Sequence, residues 1–332
     1  MKLRKARKEA KEANLPGPVR MRIAFSTEKS EGNGEDANCW SENETGVLAG
    51  VFDGCGGAGA RRCPKYGGRS EAFLASRAAA VLTKWFFEKG GFRRQDAGEF
   101  FQQKLEQFFF RIKELYGEDV RILGSMSKLL PTTLAAAVTA QQDGQIFADL
   151  YWAGDSRVYL LDKDGLAQLT EDDLEAGDAF ENLTDDSPMT NMVQLSQPFT
   201  IHQARLPVTG PCFLFAATDG CFGYLSTPME FEYLLLYELM KAKTPEEWEA
   251  RLIGRLGQIA ADDCSISGTV IGFRDFSSLQ AGLYPRARQL YAGCIRLLKG
   301  AGREQRAALW QDYRDNYYRF LQHAGSDRQN NN

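Results

Sequence analysis

Histidine is nearly absent from this chain: there are two in 332 residues, His202 and His323. Zinc sites built on paired histidines need more than that, and Ser-His-Asp or Cys-His catalysis would have to rest on one of these two. The chemistry is therefore expected to run on carboxylates. Cysteine pairing is missing as well. Cys39, Cys55, Cys63, Cys212, Cys221, Cys264 and Cys294 are odd in number, scattered and without a CxxC pair, which favours reduced thiols over a disulfide framework. No apolar run reaches about 18 residues, so no segment is expected to span a membrane. The opening "MKLRKARKEAKEANLPG" lacks the apolar stretch of a secretory signal. There is no basic excess either. With 40 Lys and Arg against 44 Asp and Glu the net charge is −4, so no global field recruits nucleic acid. These absences together lead to the expectation of a cytoplasmic protein that engages neither nucleic acid nor membrane.

What is present is a mixed α+β pattern. Residues 1–20 form a charged arm. From Met21 the chain turns β-like: "MRIAFSTEK", a turn-rich "SEGNGEDANCW", then "ETGVLAGVFDG". Two helices are expected next. Ala72, Ala75, Ala79, Leu82 and Phe86 make the apolar stripe of one. Phe101, Leu105, Phe108, Ile112 and Leu115 make that of the other, with Gly117 as its stop. A meander follows: "TTLAAAVTA" turns at Asp143-Gly144 into "QIFADLYWAGDSRVYLL", which turns at "DKDG" into "LAQLT". Residues 171–192 are acidic and irregular. "FTIHQARL" and "GPCFLFAATDG" are strands, "PMEFEYLLLYELMKAK" and "TPEEWEARLIGRLGQIA" helices, and "DDCSISGTVIGF" the last strand. Hairpins joining strands imply antiparallel sheets rather than βαβ alternation. Residues 275–324 are helical and different in composition. Leu309, Tyr313, Tyr317 and Phe320 share one face there, suited to docking on the core or to binding a partner. Residues 325–332 are polar and are expected to be a disordered tail. "GCGGAG" lacks the Lys-Ser/Thr of a P-loop and the spacing of a dinucleotide fingerprint.

Five places put acidic residues at a strand end or turn among small neighbours: Glu35-Asp36, Asp53 in "VFDGCGG", Asp155 in "WAGDSRVY", Asp219 in "FAATDGCFG" and Asp262-Asp263. A lone Asp-Gly is usually only a turn. Apolar strands run into Asp53 and Asp219, however, and a carboxylate at a buried strand end is costly unless a cation accompanies it. Several such groups together would repel unless a divalent ion neutralised them. Oxygen-only ligation suits Mg²⁺ or Mn²⁺. Glycine after Asp53 leaves the backbone bare enough for a hydrated cation and a phosphate to approach.

In order and spacing, "GEDA", "VFDGCGG", "TTLAAAV", "WAGDSRVYLLDKDGLAQLTEDD", "FLFAATDG" and "DDCSISGTVIGF" resemble the PPM, or type 2C, metal-dependent serine/threonine protein phosphatases, in particular the bacterial members. The resemblance covers residues 21–274. It implies a four-layer αββα sandwich, two antiparallel sheets flanked by helix pairs, with the C-terminal helices as an extension. It also implies hydrolysis of phosphoserine and phosphothreonine in proteins at a site of two Mn²⁺ or Mg²⁺ ions, with a third, weaker one, and a cognate Ser/Thr kinase as counterpart. Carried over motif by motif, Asp53 matches the bridging ligand, Gly54 the carbonyl ligand, Asp219 and Asp262 the other ligands of the first metal, and Glu35 that of the second. Asp155 matches the third-metal ligand and Asp36 the group that orients the attacking water. Asp53, Asp36 and Asp219 are thus the expected catalytic set. Asp262 is preferred to Asp263 because the pattern then ends on Ser265.

Two departures stand out. Cys55 occupies the position where many members have a histidine acid, and Glu31 the position of a phosphate-binding arginine. An acidic residue would repel a phosphoester. Arg61 and Arg62, in the basic "ARRCPKYGGR", are the candidate substitutes for the arginine, with Lys29, Lys65 and Arg69 nearby. Glu31 also motivates the alternative of a pseudophosphatase or regulatory phosphoprotein-binding module on the same fold. A two-metal nuclease is disfavoured by the missing basic groove.

Overall fold

The computed structural model describes residues 21–116, 129–175, 178–183 and 187–321. The N-terminal arm, Gly117, His323 and the polar tail lie outside the described residues.

Ten of the twelve strands among the described residues form two antiparallel five-stranded sheets. One runs in the order β1 (Met21–Thr27), β12 (Cys264–Ile271), β11 (Cys212–Ala217), β8 (Arg157–Asp162), β9 (Gly165–Gln168). The other runs β10 (His202–Val208), β7 (Gln145–Ala153), β6 (Leu134–Gln142), β3 (Gly46–Phe52), β2 (Ala37–Asn43). Two short strands, β4 (Arg62–Cys63) and β5 (Arg69–Ser70), pair as a hairpin. The β6–β7 turn is the expected Asp143-Gly144, both residues at positive φ (51° and 81°), the backbone a two-residue hairpin requires.

The sheets face each other over a layer of small and branched side chains, among them Val51, Ala135, Leu150, Val158, Leu160, Leu214 and Ala216. Helices α1 (Glu71–Glu88) and α2 (Ala97–Tyr116) cover the outer face of the β2–β3–β6–β7–β10 sheet. Helices α3 (Pro228–Lys241) and α4 (Pro245–Ile259) cover the other. The expected αββα order is the order observed. Chain 274–321 adds α5 (Phe276–Leu290), a π-helical turn (Tyr291–Ile295), the single turn α6 (Arg296–Leu298) and α7 (Arg303–Tyr317). These pack onto α3 and β9. Leu279, Leu283, Leu290, Trp310 and Tyr317 join the same cluster as Phe213, Phe215 and Met229.

Two expectations need correction. "SEGNGEDANCW" is not turn throughout, since Ala37–Asn43 forms β2. It alternates buried Ala37, Cys39 and Ser41 with half-buried Asn38 and Trp40, which meet Ser26 and Arg22 of β1, and so few large apolar side chains give little strand signal. On α2 the buried line is Phe101, Leu105 and Phe109, while Leu115 is 66% exposed. The stripe advances by four residues at each step, and the expected Phe108 and Ile112 pack half-buried at its margin. None of the seven cysteines is in a disulfide, and six of them are buried.

Candidate active site

Antiparallel pairing brings strand beginnings and strand ends to one edge. β3 finishes beside the start of β2 (Phe52 opposite Ala37) and the start of β6 (Val51 opposite Ala135). β7 finishes beside the start of β6 (Ala153 opposite Leu134). In the facing sheet, β11 finishes beside the starts of β12 and β8 (Ala217 opposite Ile266 and Arg157). The residues just beyond these termini are Glu35 and Asp36, Asp53 and Gly54, Asp155, Asp219, and Asp262 and Asp263. Every acidic position singled out in the sequence thus lies at this edge.

Local bonds fix the cradle. The Asp53 carbonyl accepts from Thr132 Oγ1 (2.7 Å) and Thr133 N (2.8 Å), and Asp53 N donates to Thr133 Oγ1 (3.1 Å). The side chain is therefore aimed by a clamped backbone. A Cβ on Gly54 would stand 2.7 Å from the Glu35 carbonyl oxygen and 2.6 Å from that of Ala72, and one on Gly56 would collide with the Glu35 carboxylate. The glycines are there because the Glu35 loop and α1 press against them. Ser70, the N-cap of α1, accepts from Phe73 N (3.0 Å) and donates its hydroxyl to Glu35 Oε1. Arg77 donates to the carbonyls of Gly34 (3.0 Å) and Glu35 (3.3 Å). Asp263 accepts from the backbone amides of Lys29 (2.8 Å) and Glu35 (2.6 Å). Its carboxylate holds the Glu35 loop and its charge acts on Glu35 and Asp36, while the charge of Asp262 acts on Asp219, Asp53 and Glu35. Asp36, 5% exposed, accepts from Thr218 Oγ1 (2.8 Å).

The electrostatics are those of crowded acids. Burial, then the charges of Asp219, Asp36 and Asp155, push Asp53 well above the usual carboxylate range. Burial raises Asp36 to about 7, with Asp219 adding to it. Burial and Asp219 likewise raise Asp155. Asp219 is raised by burial and by Asp262, while Asp53 lies within hydrogen-bonding reach of it. Burial also raises Glu35. One buried cation stands near, Arg157, but its guanidinium is held by Asp172 (Nη2 to Oδ2 2.6 Å, Nε to Oδ1 2.9 Å) and lies 4.1 Å from the Phe222 ring. Asp155 Oδ1 is buried with no hydrogen-bond partner. Among the described residues, no three His, Cys, Asp or Glu side chains stand in ready-made metal-ligand geometry. The donors nonetheless fit a hard divalent cation in kind and place: they are oxygens only, they crowd one another, and one of them is orphaned.

The basic candidates separate. Arg61 lies 3.6 Å from Glu71. Arg62 is exposed, donates to the Gly68 carbonyl (3.0 Å), and its charge reaches Glu35. Glu31 is exposed. Cys55 Sγ lies 3.9 Å from the Asp53 carbonyl oxygen. His202 is tied to Asp173 (2.8 Å) and stacks near Trp152. Sequence reasoning missed Thr218, Ser70, Arg77 and the Arg157–Asp172 pair. Ser70 carried a signal, a serine directly before an apolar-periodic helix. The others act through contacts far apart in the chain. A cavity of about 350 Å³ opens beside the acids, between Asp155, Asp219 and Tyr224 on one side and Leu174, Asn182 and Leu183 on the other.

No family model matches the chain and no curated protein is similar to it in sequence. Solved structures are similar in fold. The serine/threonine phosphatase Stp1 from Staphylococcus aureus superposes with a TM-score of 0.56 at 18% identity, covering 76% of this chain and 95% of that one. The S. agalactiae serine/threonine phosphatase gives 0.54 at 17%, covering 75% and 98%. The Mycobacterium tuberculosis phosphatase PstP/Ppp gives 0.53 at 16%, covering 76% and 98%. The chain therefore has the fold of the bacterial serine/threonine phosphatases.

Proposed function

We propose that this protein is a Mn²⁺- or Mg²⁺-dependent phosphatase acting on phosphoserine and phosphothreonine in proteins, the counterpart of a Ser/Thr kinase. The observation that carries the reading is the group Asp36, Asp53, Asp155 and Asp219. These acids raise one another's proton affinity at the shared edge of two sheets, and the nearby arginine is already paired to another acid. A bound divalent cation would relieve this repulsion at pH values where the acids are ionised. Asp53, Asp219 and Asp262, with the Gly54 carbonyl, would hold one ion. Asp53 and Glu35 would hold a second, and Asp155 would take part in a third. When bound, such ions ready a solvent molecule for attack on phosphorus and screen the phosphoryl oxygens.

The chain's own groups do the rest. The Thr132–Thr133 clamp aims Asp53. Ser70, Arg77 and Asp263 hold the Glu35 loop. Asp36, fixed by Thr218, would orient the attacking solvent. Of the two basic candidates, Arg62 is taken as the group that would meet the phosphate; its exposure and the reach of its charge to Glu35 support this, whereas Arg61 sits against Glu71. The test is hydrolysis of p-nitrophenyl phosphate with Mn²⁺, abolished by EDTA. Asp53→Asn and Asp219→Asn are each expected to lower kcat by about 100-fold or more while the fold is retained. No turnover of this substrate or of phosphopeptides with either ion would leave the alternative, a binding module. That alternative is supported by Glu31 and by the acids' lack of ready-made metal geometry. A thermal shift with Mn²⁺ separates the two, since a dead site gains nothing from the ion.

A further inference from the structure

Facing the acids across the 350 Å³ cavity are Asp172, Leu174, Asn182 and Leu183, which belong to the described residues 172–175 and 178–183 between β9 and β10. This stretch has little regular structure of its own, a single 3₁₀ turn at Glu181–Leu183. On the site side, Asp172 pairs with Arg157 and Asp173 accepts from Gly154 N (2.9 Å), next to Asp155. On the opposite side it is held by the C-terminal extension. Trp310 Nε1 donates to Asp178 Oδ2 (3.2 Å), and its ring stacks with Phe180 at 6.4 Å between centroids. Ala179 N donates to the Tyr318 hydroxyl (2.7 Å). Tyr317 accepts from Arg157 Nη1 (3.4 Å) and donates to Tyr159 (3.3 Å). The extension is itself anchored on the β8–β9 hairpin, where Asn316 donates to the Asp164 carbonyl (2.8 Å) and Arg319 reaches Asp162 and the Gly165 carbonyl (3.0 Å each). Arg157, 3% exposed, is thus shared by the cavity wall, the extension and the Phe222 ring beyond Asp219.

We propose that Trp310, Tyr317 and Tyr318 are positioning residues for substrate. The extension holds Leu174, Asn182 and Leu183 where they receive the residues flanking a phosphoserine or phosphothreonine, so it sets affinity for phosphopeptide without entering the chemistry. The proposal rests on the phosphatase reading for what the cavity receives.

Tyr318→Phe removes only the hydroxyl that accepts the Ala179 amide. For a phosphothreonine peptide the expected result is a rise in KM of about three- to ten-fold, the range for one hydrogen bond, with kcat within about two-fold. For p-nitrophenyl phosphate, too small to span the cavity, both constants stay within that margin. A KM unchanged on the peptide overturns the proposal. So does a parallel fall of kcat on both substrates, which marks general damage to the site. Hydrogen exchange of Ala179–Leu183 in the metal-free proteins is the second readout. Faster exchange there in the variant, with β3 and β11 unchanged, supports the strut, and identical exchange removes it. If wild-type protein turns over neither substrate, the phosphatase reading falls with the peptide-affinity role built on it, while the exchange comparison still judges the strut itself.

Discussion

At the scale of single residues, the site carboxylates set a pH dependence whose sign follows from the direction of their shifts. Asp36 moves from an ordinary value of 3.8 in the open chain to about 7 in the fold. The folded protein therefore binds this proton more tightly than the unfolded chain does. Its favourable contribution is complete below about pH 4 and is lost as pH rises through about 7. Asp53 and Asp155, raised by the same burial and mutual charge, add to the loss. The metal-free protein is expected to melt at progressively lower temperature between pH 5 and pH 8, by differential scanning fluorimetry, and millimolar Mn²⁺ is expected to restore the lost degrees. Asp53→Asn removes one repelling charge and should melt higher than wild type at pH 8 without metal while gaining less from Mn²⁺. A metal-free wild-type melting temperature that rises across this range would show the acids to be ordinary solvated carboxylates.

At the scale of elements, the junction between α3, α5 and α7 rests on a buried ion pair. Glu232 is fully buried and accepts from Arg286 Nε (2.6 Å) and Nη2 (2.9 Å) and from the Tyr313 hydroxyl. Breaking such a pair from one side leaves an uncompensated charge, at a cost of about 3–5 kcal/mol. Arg286→Met is expected to lose that much in urea unfolding, and the double variant with Glu232→Leu less than the single one, because no charge is then stranded. Neither partner announced itself in the sequence. Glu232 follows Phe231 in a helix with mixed periodicity, and its mate lies 54 residues away. What was legible had a local cause: Asp143-Gly144 dictates its own turn, the Ala72-to-Phe86 stripe its own buried face, and runs such as "VLAGVF" their strands. Asp53 and Asp219 were legible because each ends an apolar strand, and the other acids because they stand among small residues at turns. Thr218, Arg77 and the Asp172 end of the Arg157 pair were not, because a hydroxyl or charge within ordinary polar sequence acquires its role only when antiparallel pairing lays it beside a distant partner. The β2 strand was obscured because its buried positions are the small Ala37, Cys39 and Ser41, which show no apolar alternation in the sequence.

At the scale of the whole molecule, composition changes after Phe273 but packing does not. Leu279, Leu283, Leu290, Trp310 and Tyr317 each lie within 3% exposure and share one cluster with Tyr159, Phe180, Met229, Phe231 and Leu234. Removing the extension also removes the entropy of ordering it, so its own burial does not decide the outcome. The surface it leaves behind does. Side chains of this size are worth about 1.5–3 kcal/mol each when withdrawn from water. Several uncovered together represent a sizeable share of a total stability of about 5–15 kcal/mol. They would also form a contiguous apolar patch of the kind that drives association, and the patch would include Phe180, two residues before Asn182 of the cavity wall. A chain ended after Phe273 is expected to sediment as aggregates or to melt far below the full chain, even though every acidic residue of the site remains. A monomeric truncated protein melting within a few degrees of the full chain, with unchanged KM for a phosphopeptide, would show instead that α5 to α7 are an appendage, and would assign the 172–183 wall to the sandwich alone.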